Sequence, residues 1–453
     1  MARSSMIRLS PLWSSGAVLQ HGQRQSLCGT ATPQQLLRVT LQQPHILHQF
    51  EAHTDAHGIF SVDIPPQPPS GPWTCTISQA DVVLISLHDL WFGQLLLFAG
   101  QSNVGWPLRH YPGQLADLQE KLQAQPGIAA VRAYLTNVYQ PVAPDEQPSH
   151  FRRAGHWQQL TPTLLADWPA LLCHFSQHYQ AADGATAMML GLVDISWPGS
   201  AIDAWTQQAE GTNATQAWQA GALFASRLKP WLQQPFSALV WYQGEQDAMG
   251  KNAAHYGVKL QHWLHSCRQV AGWEFPLLLV QIAGFGHSGL PQLQHGFVLV
   301  RQAQQHIAAT ARQVMLVSAA DLGAEDDIHP PFKAELARRL ALQLPQLLAA
   351  GLRSSISQLT AHLLERITTT AQLRLPQDCS WQHSGPLDGF FTHSPAVGWQ
   401  SAPAFLHAAH HQVHITVPAD ADTLCYGMSA RPHLTLYTAE GLPLWPGIWT
   451  LPV

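Results

Sequence analysis

Between residues 91 and 350, short aliphatic runs alternate with longer stretches of helical spacing, and this alternation limits the fold more than any other feature of the chain. The runs are QLLLFAG, VRAYLTNV, AMMLGLVDI, SALVWYQG, PLLLVQIAGF and QVMLVSAADL. Between them, stretches such as TQAWQAGALFASRLKPWL and HGFVLVRQAQQHIAA carry the apolar spacing of helices. Strand–helix alternation implies a mostly parallel sheet covered by helices on both faces. Sites in such sheets lie at the carboxyl ends of the strands. PPFKAELARRLALQL reads as a closing helix, its prolines at the start and Phe332, Leu336 and Leu340 on one buried face. The flanks are different in texture. Residues 7 to about 90 read as all-β, with LLRVTL and GIFSVDI separated by clusters such as PPQPPSGP, and β-like alternation returns from about 351 in HQVHITV and HLTLYTAEGLP. The expected fold class is therefore α/β, a helix-flanked parallel sheet over 91–350 with β-rich segments at 1–90 and 351–453. The terminal segments form either one joint domain or two.

Composition narrows the function classes. The 453 residues are too many for one ordinary core. Only 11% are charged, the net charge is −5, and no lysine/arginine-rich run occurs, which argues against nucleic acid or an anionic membrane as partner. The 17 tryptophans and 26 histidines would suit a sugar-binding surface, although composition alone cannot establish one. Six scattered cysteines without a CxxC pair make neither a zinc site nor a disulfide framework. No apolar run approaches the ~20 residues of a membrane span, and MARSSMIRLSPLWSSGAVLQ lacks the apolar block of a secretory signal. A soluble cytoplasmic protein without metal or cofactor is expected.

Four polar clusters follow the ends of predicted strands. In GQSN, Ser102 comes directly after the strand break at Gly100, between Gln101 and Asn103. A serine in a glycine-containing turn is more often structural, and the spacing is not that of the GxSxG elbow. In DISWPGSAIDAW, Gly199 falls where a strand gives way to a helix, so its N–H is a candidate donor; a simple turn explains it equally well. In WYQGEQDA, Gln243 and Glu245 flank Gly244, and a neutral amide there could donate to an oxyanion, or the segment is only a polar loop. In EDDIHPP, His329 has Asp326 three residues back and Asp327 two back, either of which could reach Nδ1 and fix the tautomer. The histidines of HAAHHQVH look superficially like metal ligands. Alternation in HQVHITV instead puts Val413, Ile415 and Val417 on one face and His414 on the solvated other.

Together the clusters are far more specific than any one alone. They describe acyl transfer, in which Ser102 attacks an ester carbonyl, His329 relays the proton and an aspartate orients the ring. The N–H groups of Ser102 and Gly199 and the Gln243 amide would hold the oxyanion.

At these residues the chain resembles the SGNH hydrolase superfamily and, within it, the sialate O-acetylesterase family. IRLSPLWSSGAVLQ resembles the family's opening segment and GQLLLFAGQSNVGWPL its nucleophile block, usually GQSNM. SWPGSAIDAW resembles the block normally written SWGGTxxxxW, WYQGEQDA the QGExN/D block, DIHPPFKAELARRLA the histidine block and YTAEGLPLWP the closing segment. The resemblance implies an SGNH-type sheet, Ser102 as nucleophile, His329 as base, and Ser102, Gly199 and Gln243 as oxyanion donors. Val104 replaces the usual methionine, and Pro198 replaces the first glycine of a pair and has no N–H to give. Superfamily spacing selects Asp326 as the acid and the DIHP form retains Asp327; reach favours Asp326.

What the resemblance implies is a serine esterase removing O-acetyl groups from sialic acid or a related sugar. The acetyl pocket would be walled near Trp106 and Trp197, and Gln101, Asn103, Arg109, Trp197 and Glu245 are the candidate substrate contacts. A sialate carboxylate calls for a cation, for which Arg109, Arg152 and Arg153 are candidates, each of them alternatively a surface salt bridge. The rival readings are an esterase for another acetylated carbohydrate or polysaccharide, and a non-catalytic carbohydrate-binding protein on a hydrolase scaffold.

Overall fold

The computed structural model describes residues 7–10, 12–80, 82–124, 130–136, 139, 154–182, 188–208, 215–349, 359–383 and 387–452. Arg152 and Arg153 lie outside them. The chain divides into two compact units, one of Met1–Trp241 with Trp263–Pro276 and one of Tyr242–His262 with Leu277–Val453.

The first unit is organised by one long strand, β1 (Val82–Gly100), which spans the change of texture near position 90 with a bulge there, Asp89 standing at φ +61. Its first half is partly exposed and pairs antiparallel with Ser70–Gln79, which pairs in turn with Leu36–Gln43. In its second half Leu95 to Ala99 are all fully buried, as expected of a strand covered on both faces. There it pairs parallel with β4 (Leu190–Asp194), in register Leu96 to Leu192 and Phe98 to Asp194. Beyond β4 lie β2 (Val131–Leu135), parallel, and the edge strand β3 (His156–Gln159), antiparallel. On the other side of β1 comes β5 (Ala238–Tyr242), giving the order β3-β2-β4-β1-β5. The helices of this unit include α1 (Ser102–Gly105), α2 (Pro112–Ala124) and α3 (Ala170–Ala182).

TQAWQAGALFASRLKPWL is helical only in its second half, over Phe224–Leu228 and Lys229–Leu232. Gly221 stands at φ +75, a conformation no continuous helix admits, and Trp218 before it is exposed, so the spacing of the first half does not mark a buried face.

In the second unit β6 (Leu277–Gln281) pairs parallel with β7 (Val314–Ser318), and every residue of both is buried. Helices α4 (Glu245–Met249), α5 (Gly296–Thr310) and α6 (Lys333–Ala349) belong here. The C-terminal part forms two four-stranded antiparallel-paired sheets and a two-stranded one around a core that includes Leu373, Phe390, Val413, Ile415, Leu424 and Tyr426. Val413 and Ile415 face that core and His414 does not, the alternation the sequence implies. Among the described residues no helix is long and apolar enough to cross a membrane.

The segment from Ala319 to Phe332, which carries the EDDIHPP cluster, is held at its two ends by one arginine. Arg339, on α6 and 2% exposed, donates to the Ser318 carbonyl at 2.8 Å and to both oxygens of Asp321 at 2.7 Å, while its Nε donates to Glu335 at 2.9 Å. The end of β7 and the start of α6 are thereby tied together. Replacing Arg339 by Met should lower unfolding free energy by about 3–5 kcal/mol, the cost of leaving Asp321 buried without its cation. Urea denaturation measures this, and a loss within the ±0.5 kcal/mol or so typical of surface changes would contradict the role.

Candidate active site

Ser102 is presented by the end of β1. Gly100 takes φ +143, a region open to glycine alone, and Gln101 is extended before the single turn of α1 begins at Ser102. Gln101, Ser102 and Asn103 are all buried. The turn is seated on the loop that follows β4, because the β1–β4 ladder continues past the end of β4: Ile195 N–H donates to Phe98 O and Trp197 N–H to Gly100 O, each at 2.9 Å. Gly105 closes the contact. A Cβ on it would stand 2.3 Å from Ser196 Oγ and 3.5 Å from Asp194 Oδ2, so only glycine lets the two loops approach this closely.

The same loop carries a buried charge system that the sequence reading passed over. Asp194, at the end of β4, accepts the Ser196 N–H at 2.9 Å, and burial raises its carboxyl above the ordinary range against the lowering effect of Ser196 and Arg227. Arg227 is 4% exposed; burial pushes its guanidinium down to about 10, opposed by Asp194. Its guanidinium carbon lies 5.4 Å from the centre of the Trp197 ring, a cation–π contact that holds the half-buried indole. Gly199 follows in a turn at φ +63, exposed, with open space around its α-carbon. Trp106 stacks on His110, ring centres 4.6 Å apart, and meets Tyr139 edge-on at 5.4 Å. Arg109 is in a surface ion pair with Asp167 at 2.6 Å, the alternative the sequence left open for it.

In the second unit, Gln243 and Glu245 are not parts of a solvated loop: they are 0% and 1% exposed. Gly244 between them takes φ +144, and a Cβ there would stand 2.7 Å from Val300 Cγ1, so conformation and packing both demand glycine. The Gln243 side chain is fixed at both ends. Its Nε2 donates to Asp247 Oδ2 at 2.6 Å, and the Tyr256 hydroxyl donates to its Oε1 at 3.0 Å and its backbone carbonyl at 2.9 Å. A primary amide has two N–H groups, so the aspartate engages one and sets the direction of the other. Gln304 of α5, also fully buried, completes the arrangement. Its Nε2 donates to Gln243 O and Val280 O, both at 3.1 Å, and its Oε1 accepts the Ile282 N–H at 3.0 Å, locking the turn to the end of β6.

Asp327 Oδ1 accepts the His329 backbone N–H at 2.7 Å, and this local turn brings the carboxylate to 3.9 Å from Nδ1. Asp327 is thus within ion-pair range of the ring, and both it and Asp326 are exposed. Phe332 is also exposed, at 47%, contrary to the buried face expected for it. It precedes the first residue of α6, so the helical wheel does not yet fix its direction. Lys333 takes the inward place instead, on one stripe with Ala337, Leu340 and Leu344. It is 2% exposed, with its ammonium 6.0 Å from the Tyr242 ring centre. Burial pushes its pKa down to about 7, against the raising effect of Glu245 and Asp327.

That shift is testable through stability. Between about 7 and the ordinary 10.5 the unfolded chain holds a proton on Lys333 that the folded chain lacks, so this group's contribution to stability rises with pH across that window. Wild type should therefore gain urea resistance relative to Lys333→Met on going from neutral pH to pH ~9.5. A difference that does not change with pH would mean the folded protein keeps the ammonium charged.

The family model for carbohydrate esterases described as sialic acid-specific acetylesterase matches residues 93–346, a span that includes Ser102, Gly199, Gln243 and His329. Among solved structures, a carbohydrate acetylesterase from Xanthomonas citri is 24% identical, covers 98% of this chain and 99% of its own, and superposes with a TM-score of 0.82. That likeness is one of fold. A protein from Arabidopsis thaliana is 17% identical over 57% of this chain and 99% of its own, with a TM-score of 0.37, and NanS is 13% identical over 56% and 97%, with a TM-score of 0.34. No curated protein matches the sequence.

Proposed function

Since the chain belongs to the carbohydrate esterase family of sialic acid-specific acetylesterases, a family of carboxylic ester hydrolases acting on acetylated glycans, we propose that it removes O-acetyl groups from sialic acid by a serine mechanism. The observation that carries the serine role is the strand end itself: a glycine at φ +143 turns the chain so that Ser102 opens a helical turn directly after a fully buried strand.

In the proposed reaction Ser102 Oγ bonds to the acetyl carbonyl carbon while His329 Nε2 takes the hydroxyl proton. The N–H groups of Ser102 and Gly199 and the Gln243 amide stabilise the oxyanion, with Gly199 acting without help from Pro198, which has no N–H. Collapse breaks the bond to the sugar oxygen, which leaves with the proton from His329. Water, deprotonated by the same imidazole, then hydrolyses the acetyl-enzyme. Asp327 faces Nδ1 and favours the imidazolium. Gln101, Asn103, Trp197 and Glu245 shape the acetyl and sugar pocket in this scheme.

One observation favours a neutral acetylated carbohydrate as the second reading. The charge of Arg109 is already matched by Asp167, so a sialate carboxylate would have to compete for it. Acetate release from 9-O-acetylsialic acid and from acetylated neutral sugars separates the two: faster turnover of the sialate supports the first, and turnover confined to neutral sugars replaces it with the second. On the preferred substrate, Asp327→Asn should lower kcat by about 10²–10⁴-fold and Asp326→Asn far less. The opposite order would give the orienting role to Asp326.

A further inference from the structure

The first unit contains a cavity of about 470 Å³ that the proposed chemistry does not use. Gln23, Arg24 and Asp63 form one side of it, Gln233 and Phe236 another, and Trp273 its aromatic wall. Its size is within the roughly 300–1,000 Å³ of small-ligand sites. Trp273 is held as a rigid platform, its ring 5.4 Å from that of Phe236 and 6.0 Å from that of Phe275, yet 39% of it remains in contact with solvent. Around it stand planar hydrogen-bonding groups. Arg24 donates to Asp63 at 3.0 Å, and both side chains are more than half exposed, so each keeps unused donors or acceptors for a ligand.

An aromatic face beside amides and a matched charge pair is complementary to one chemical class above others. A pyranose has an apolar C–H face that lies on an indole and a rim of vicinal hydroxyls that both donate and accept, which planar amide, guanidinium and carboxylate groups bind in pairs. The arginine and aspartate cancel each other's charge, so the complementary sugar is neutral.

The position of the cavity shows what such a site would do. Phe236 immediately precedes β5, and Ser237 N–H donates to Leu95 O at 2.8 Å. From Leu95 the buried strand runs five more residues to Gly100, roughly 16 Å at about 3.3 Å per residue, before Ser102 is reached. The cavity is thus at the amino end of the strands and Ser102 at the carboxyl end. A monosaccharide bound at one cannot touch the other, whereas a glycan chain can engage both.

We propose that this cavity is a second carbohydrate site, which holds a neutral sugar unit of a glycan chain away from the serine at which deacetylation occurs. The inference rests on the reading of the chain as a carbohydrate esterase, but the binding it describes needs no catalysis. The test is affinity electrophoresis of the full chain through gels containing soluble xylan, glucomannan or arabinogalactan, with p-nitrophenyl acetate hydrolysis measured on the same samples. Wild type should be retarded by at least one glycan, and Trp273→Ala should lose about tenfold in affinity for it, as deletion of a central aromatic contact does. Its turnover of p-nitrophenyl acetate should be unchanged. Because Trp273 also packs on two phenylalanines, Arg24→Ala, at a largely exposed position, serves as the second variant and should weaken retardation with the melting temperature intact. No retardation of wild type by any of the glycans, or equal retardation of wild type and both variants, overturns the proposal. Absence of ester hydrolysis with retardation preserved would count against the esterase reading alone.

Discussion

The first unit depends on the continuity of β1. One strand enters as a half-exposed member of the N-terminal β-sheet and leaves as a fully buried member of the parallel sheet. Its hydrogen-bonding partners change along its length, from Ser70–Gln79 to β4, across a bulge at Asp89 (φ +61), and it ends at Gly100. Any disorder in its buried half would be transmitted to Ser102, because only Gln101 separates the serine from the strand's last residue. The loop after β4 is aligned by the same ladder, through Ile195 and Trp197, and pressed against α1 at Gly105. Backbone hydrogen bonds and a missing side chain thus fix the candidate nucleophile.

Polar side chains inside the second unit do the corresponding work there. Gln304 joins the turn at Gln243 to the end of β6, and Arg339 joins the end of β7 to α6. Each satisfies several buried backbone or carboxylate groups at once, so each is costly to remove. Asp247 and Tyr256 leave the Gln243 amide only one orientation. An amide that does not have to reorient when charge develops on an oxygen is the kind of donor that stabilises an oxyanion effectively. Lys333 adds an amine with little access to water beside the Tyr242 ring, its charged form disfavoured by burial and favoured by Glu245 and Asp327.

Much of this was legible in the sequence, for identifiable reasons. The buried strands announce themselves as continuous apolar runs ended by glycine or a polar residue, and the polar clusters are marked by their place after those runs. Gln304 and Lys333 were also visible in principle. Each interrupts an apolar stripe at helical spacing, between Val300 and Ile307 in one helix and ahead of Ala337 and Leu340 in the other, where a polar group must find partners. What could not be read was set by distant residues or by backbone conformation. The partner of Arg109 is 58 positions away. The early turns of TQAWQAGALFASRLKPWL are decided by the φ of Gly221, and the closeness of Asp327 to the His329 ring by a turn that caps the His329 N–H.

We propose that Ser102 is the residue acylated during turnover. This is tested most directly by inactivating the protein with a fluorophosphonate and mapping the adduct by mass spectrometry. One adduct per chain is expected, on Ser102, accumulating in step with the loss of acetate release. Inactivation with the adduct on another residue, or full activity in a protein whose Ser102 has been quantitatively modified, would contradict it.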